Sequence, residues 1–128
     1  MDDLVQFLRD RLDEDKAAAR RAGDSFRQVG ETGVIVATEG DRAEECASAN
    51  WAGIAEHIVR HDPARVLAEV EAKRLALDHY TELQRLAKGG VAIYRTAAGA
   101  VGVQIQIMAM AYTRHPAYNE AWRPEHLG

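Results

Sequence analysis

Two histidines, His57 and His61, stand four residues apart in the run HIVRH. In a helix that spacing puts both imidazoles on one face, as in helical metal sites. Glu56 and Asp62 flank the pair, and His79 follows on what the pattern reads as an inward line of the next helix. Two histidines joined by a third, or by a carboxylate, suit Zn²⁺ or another transition ion. His57, His61 and His79 are therefore the candidate metal ligands. The residues between the first two are Ile58, Val59 and Arg60, so the general base of a His-Glu-x-x-His helix is missing. The competing reading is structural: the pair hydrogen-bonds at a helix junction and helps to close its end.

Other reactive residue types are less promising. Arg60, Arg65, Lys73 and Arg74 could form an anion-binding ridge, but Glu69 and Glu71 are interleaved with them. A solvated face of ion pairs, such as Glu69 with Lys73 at i, i+4, accounts for the same pattern. Asp13, Glu14 and Asp15, like Glu44 and Glu45, lie in charged runs. General acid–base catalysis needs a shielded carboxylate with a shifted pKa, so these are poor candidates. Cys46 is the single cysteine; it permits no intrachain disulfide and reads as a small buried residue. Gly89-Gly90 follows Lys88, the reverse of a phosphate-binding loop, and no GK[ST] is present. No catalytic residue is assigned.

These side chains must be positioned by the elements around them. Leu4, Val5, Leu8 and Leu12 recur at helical spacing, which predicts a first helix from Asp2 to about Ala22, ended by Gly23. Phe26–Gly30 and Val34–Thr38 flank a glycine-containing turn and predict a β-hairpin, with a loop beginning at Glu39. A second helix is expected over residues 50–61, with Trp51, Ile54 and Ile58 facing inward. Asp62-Pro63 ends it and starts another, because Asp is a favourable N-cap and Pro at the first helical position needs no N–H donor. This third helix should run to about Lys88 with two apolar stripes: Val66, Val70, Leu77, and Ala68, Ala72, Leu75, Leu83, Leu86. The segment 91–113 alternates briefly like a strand at Val103–Ile107, but Val101, Ile105, Met108 and Tyr112 keep helical spacing, so it is read as helix. Apolar residues wrap most of that helix, which points to burial in a bundle or at a subunit interface. The tail 117–128 carries Tyr118 and Trp122 and reads as a strap packed back onto the body.

The chain has 128 residues, enough for one domain with its own core. Its apolar fraction is 47%, but aromatic residues make up only 6%, so alanine-lined helix contacts must supply much of the packing. A net charge of −4 and a pI near 5.7 argue against a general nucleic-acid binder. The acidic start Met1-Asp2-Asp3 does not resemble a secretory signal, and no apolar run reaches the ~18–20 residues of a membrane span. A cytoplasmic location is expected.

Three segments together carry a resemblance. Residues 1–15 (MDDLVQFLRDRLDED), residues 57–74 (HIVRHDPARVLAEVEAKR) and the tail motifs Ala111-Tyr112, His115-Pro116-Ala117-Tyr118 and Glu120-Ala121-Trp122-Arg123-Pro124 occur in this order. About half the chain thereby resembles a family of small actinobacterial and actinophage proteins of unknown function. The family implies no activity. Its members often place a tryptophan shortly after the first helix, where this chain has Phe26, and cysteines between the central helix and the tail. Residues 80–102 contain none, so a zinc role resting on such cysteines does not carry over.

The expectation is one α-dominated (α+β) domain of about four helices with a small β-hairpin. Functionally it reads as a non-enzymatic binding or interaction module. Its partner is a protein or a second copy of itself, reached through a helix face or the hairpin edge, and no cofactor is predicted. The alternative is a metal-binding protein, with Zn the possible ion, using His57, His61 and His79.

Overall fold

The computed structural model describes residues 1–125. Helix α1 spans Asp2–Ala22, with two acidic residues in its first turn and two arginines in its last, complementing the helix dipole. Strands β1 (Ser25–Gln28), β2 (Val34–Glu39) and β3 (Arg42–Ser48) form an antiparallel sheet in the order β1-β2-β3. Helices α2 (Ala52–Arg60), α3 (Pro63–Ala87) and α4 (Ala92–Ala109) follow, then short 3₁₀ turns at Met110–Tyr112 and Glu120–Trp122. Three long helices carry the helical content rather than four of equal weight, since α2 has only 9 residues. The tail beyond Glu125 falls outside the described residues.

The expected hairpin is extended by a third strand. Gly40 adopts φ +58° at the first central position of the two-residue turn Gly40-Asp41, the glycine-first pattern of a type II′ hairpin turn. Asp24 secures that turn by accepting the Gly40 N–H at Oδ2, 2.8 Å. The pairing passes from Ile35↔Ala47 to Val36↔Glu45, so Cys46 is the extra residue of a β-bulge. It is exposed rather than buried, because every residue of β3 is exposed.

The chain divides into two compact units. In the unit Asp13–Glu71, α2 packs on β1 and β2. Ile35 is fully buried, Ala55 is the buried residue of α2, and Gln28 Nε2 donates to the Ala52 carbonyl at 3.1 Å. Trp51, expected to face inward, is 63% exposed, and Ile58 is exposed too. Trp51 stands at the N-cap of α2, outside the helix proper, with its ring over Gly53.

In the unit formed by Met1–Leu12 and the chain from Ala72 onward, Leu4, Phe7, Leu8 and Leu12 of α1 are buried, as are Leu77 and Tyr80 of α3 and Ile105 and Ala109 of α4. Gly102 lets α4 lie against Tyr80: a Cβ there would stand 3.3 Å from the ring. Arg9 and Asp78 join α1 to α3 by an exposed ion pair of 3.0 Å. Along α3 the first expected stripe is buried at Val70 and Leu77 and half-buried at Val66, and Pro63 and Tyr80, which belonged to neither stripe, are buried as well. Ala68, Ala72, Leu75 and His79 are exposed, which corrects the inward placement of His79. Pro63, Val70 and Leu77 are spaced by seven and Tyr80 lies three beyond, so the buried positions form a narrow helical stripe.

The strap folds back as the aromatics require. Trp122 is buried, with its ring centroid 4.9 Å from that of Phe7, and its Nε1 donates to Asp3 Oδ2 at 3.2 Å. Tyr118 and His115 meet the edges of the same Phe7 ring, at 6.0 and 5.5 Å. His115 Nδ1 accepts both from Arg11 (3.2 Å) and from the Ala117 N–H (3.0 Å), so it carries no proton and closes the strap as the Nε2–H tautomer.

Candidate functional site

The Asp62-Pro63 corner is built by local chemistry. Asp62 Oδ1 accepts the Arg65 N–H at 3.0 Å, the N3 donor of α3, while Oδ2 accepts the Phe26 N–H of β1 at 3.2 Å. One carboxylate thus caps a helix and ties it to the sheet. Around this corner Arg60–Glu56 (3.3 Å) and Arg65–Glu69 (2.9 Å) form exposed i, i+4 ion pairs. The basic ridge is therefore a salt-bridged face, although Glu69 pairs with Arg65 where Lys73 was expected. Lys73 instead lies over the Tyr112 ring, at 5.8 Å.

His57 and His61 are brought together as their spacing implies, with ring centroids 4.5 Å apart and planes inclined by 44°. His61 Nδ1 donates to the His57 carbonyl at 2.8 Å, since the carbonyl can only accept. That bond fixes the tautomer and leaves Nε2 as the unprotonated nitrogen of the neutral ring. Both histidines are exposed. His79 is an exposed residue of the other unit. Among the described residues, no group of three or more His, Cys, Asp and Glu is placed to hold a metal ion.

His61 also lines an open cavity of about 340 Å³ in the unit Asp13–Glu71. Its lining is mostly apolar, with Ala18, Ala19, Phe26, Pro63 and Val66, and includes Asp15 and Glu69. The volume is at the lower end for a small-molecule pocket.

A second feature was only half legible in the sequence. Ile93, Thr96, Ala100, Val103 and Ile107 recur at alternating steps of three and four along α4 and form one face. This face points away from Gly102, Ile105 and Ala109, the buried residues of the helix. Ile93 is 71% exposed and Val103 42% exposed, and Thr96 and Ala100 are exposed as well. The whole of α4 holds one charged residue, Arg95, which lies off this face. Outward positions of α3 in the same unit carry Asp78, Glu82 and Arg85. In a chain that is 28% charged, an outward helix face without charge is not what solvation selects. Toward its C-terminal end the face opens into a cavity of about 490 Å³, lined by Val103 and Ile107 of α4 and Ala121 and Pro124 of the strap, together with Gln104, Gln106 and the charged Arg123 and Glu125.

The free edge of the sheet is a weaker surface. β3 carries Arg42, Glu44 and Glu45 and is bent by the bulge at Cys46, the devices by which edge strands avoid pairing with other chains.

Among the described residues no helix is long and apolar enough to cross a membrane. Comparison with curated proteins and with solved structures finds no match to this chain. A family model does match, over residues 1–124, spanning the first helix, the Asp62-Pro63 corner and the strap alike. The chain therefore belongs to DUF6221, a family of unknown function.

Proposed function

We propose that this chain is a non-enzymatic protein-interaction module of the cytoplasm that works through the outward face of α4. The carrying observation is the uncharged run Ile93, Thr96, Ala100, Val103, Ile107, with Ile93 71% exposed. Ile93, Ala100, Val103 and Ile107 stand at i, i+7, i+10 and i+14, apolar positions of the kind a helix presents to a groove or a second helix. The cavity beside Val103 and Ile107 provides a recess for an incoming side chain. The partner is an apolar protein surface, either another protein or a second copy. The test is the double substitution Ile93→Lys with Val103→Lys. Both positions point to solvent, so helical circular dichroism should be unchanged. The wild type is expected to bind a hydrophobic dye such as anilinonaphthalene sulfonate or to associate, and the variant to do neither. A variant equal to wild type in both measurements refutes this reading.

The second reading, a metal-binding protein, draws its support from the 4.5 Å approach of His57 and His61 and from the His61 tautomer that leaves Nε2 as the acceptor nitrogen. Two imidazoles on one helix face are half of a tetrahedral zinc site, so other donors would have to complete it. Elemental analysis of protein purified without a histidine tag, before and after incubation with Zn²⁺, decides it. Stoichiometric metal lost in His57→Ala/His61→Ala supports the reading, and absence of metal removes it.

A further inference from the structure

We infer that the tip of the α3–α4 hairpin is a contact site for an anionic lipid surface, touched from one side and not spanned; the inference goes beyond the interaction reading and does not depend on it. The sequence sets positive charge apart here. Four of the 16 Lys and Arg residues and none of the 20 Asp and Glu residues fall between Glu82 and Glu120, so this stretch carries +4 in a chain whose net charge is −4. Arg85 is paired with Glu82. Lys88 and Arg95, on either side of the turn, have no carboxylate partner among the described residues. The tip thus offers two uncompensated cations to an anionic surface.

Apolar residues stand between these cations. Residues 88–96 are exposed without a break. Val91 is 50% exposed, Ile93 71% and Tyr94 37%. Neighbouring helix positions are turned by about 100°, so Ile93, Tyr94 and Arg95 leave the axis in different directions. A protein groove reads one face of a helix, whereas a fluid lipid interface accepts a tip that is apolar on several sides. Tyrosine suits the headgroup level, and Lys and Arg lay their stems along apolar surface while the charge stays in water. The backbone fits the same surface. Gly89 and Gly90 N–H groups donate to the Leu86 and Ala87 carbonyls at 3.1 Å, so the end of α3 brings fewer open carbonyls to the contact. Helix α4 begins with no side-chain cap and no acidic residue in its first turn, which leaves the positive end of its dipole at the tip.

The carboxylates elsewhere in this unit stand back from the tip. Burial, and then the charge of Asp2, raises the Tyr80 pKa, so Asp2 lies within Coulombic reach of Tyr80. Tyr80 precedes the end of α3 at Ala87 by seven residues, about 10 Å of helix and about one Debye length. Repulsion between Asp2 and the lipid charge is therefore largely screened. Affinity should be modest. A single myristoyl chain binds bilayers at about 10⁴ M⁻¹, and three partly inserted side chains with two cations should reach on the order of 10³ M⁻¹.

The experiment is co-sedimentation of the full chain with vesicles of phosphatidylcholine alone and of phosphatidylcholine with about one-third phosphatidylglycerol. The wild type should be half-bound near ~1 mM anionic lipid and bind phosphatidylcholine about 25-fold more weakly, the difference shrinking as salt rises. Lys88→Ala/Arg95→Ala should lose about 25-fold on anionic vesicles, about fivefold per cation. Val91→Ser/Tyr94→Ser, which leaves the outward face of α4 intact, should lose about tenfold. Val103→Ser, at the recess, should bind as the wild type does. All five positions are exposed, so far-ultraviolet circular dichroism should be unchanged. No sedimentation at ~5 mM anionic lipid overturns the inference, as does equal binding to both vesicles or full binding by Lys88→Ala/Arg95→Ala. Binding that falls in the charge variant but not in Val91→Ser/Tyr94→Ser also overturns it, and points to an acidic protein surface as partner of the cations. A loss in Val103→Ser as large as at the tip overturns the placement. The dye assay above reads the α4 face without lipid, so either reading can fail while the other stands.

Discussion

Replacing Asp62 by alanine tests the physical account of the corner. Its carboxylate holds two backbone donors, the Arg65 N–H at 3.0 Å and the Phe26 N–H at 3.2 Å. Loss of an N-cap costs about 1 kcal/mol, within a range of roughly 0.5–2. The bond to Phe26 is charge-assisted, and its loss leaves a strand amide without that acceptor, which adds about 1–2 kcal/mol. Asp62→Ala should therefore destabilise by about 2–3 kcal/mol. Asp62→Asn separates the contributions: its amide oxygen can still cap α3, but its NH₂ turns a donor toward the Phe26 donor. It should cost about 1–2 kcal/mol. Urea titration followed by far-ultraviolet circular dichroism measures both, and the same change corresponds to about 3–5 °C in Tm per kcal/mol for a chain of this size. If Asp62→Ala lies within about 0.5 kcal/mol of wild type, the corner is held by packing at Pro63 and the double-acceptor account fails. If Asp62→Asn is as damaging as Asp62→Ala, the cap contributes nothing separable.

Two further predictions follow from close contacts and from the strap. A Cβ on Gly33 would overlap the Ala49 carbonyl oxygen, a backbone atom that cannot swing aside, so Gly33→Ala should cost at least ~1–3 kcal/mol through displacement of the β2–β3 ladder, read by the same urea titration. Desolvation pushes the Asp3 carboxyl upward, but the hydrogen bonds from Trp122 and the Leu4 N–H, with the Met1 ammonium, outweigh it and hold its pKa below the ordinary value. The strap is therefore more secure with Asp3 ionised: this contribution is present above the unfolded carboxylate's pKa and is lost as pH falls through the lower, folded value. In a Trp51→Phe background, which leaves only the buried Trp122 emitting, acidification below about pH 4 should red-shift the fluorescence, and Asp3→Asn should remove the step. A step of unchanged size in Asp3→Asn would contradict the assignment.

The sequence determined the features that local bonding decides. Helix α1 stops at Ala22 before Gly23, and α3 starts at Pro63 with Asp62 as cap and ends just before Gly89-Gly90, as composition indicates. Caps, glycine termini and proline constraints act within one turn of chain, so they are readable without knowing the neighbours. The pairing of His57 with His61 was legible for the same reason, as a consequence of helical spacing. Strand β3 was missed although Gly40-Asp41 is a recognised hairpin turn, because its seven exposed residues show no apolar alternation.

Only the tertiary structure decided which surfaces are covered. Both stripes of α3 are equally apolar in sequence, yet Leu77 is buried and Leu75 is 59% exposed. Trp51, the largest residue of its segment, lies outside while Ala55 is inside. On α4, apolar residues surround the helix, and only tertiary packing, with Gly102 against Tyr80, put Gly102, Ile105 and Ala109 inside and left Ile93, Ala100 and Val103 outside. Burial depends on what stands opposite a residue, and that partner is set by contacts far apart in the chain, which no local pattern records.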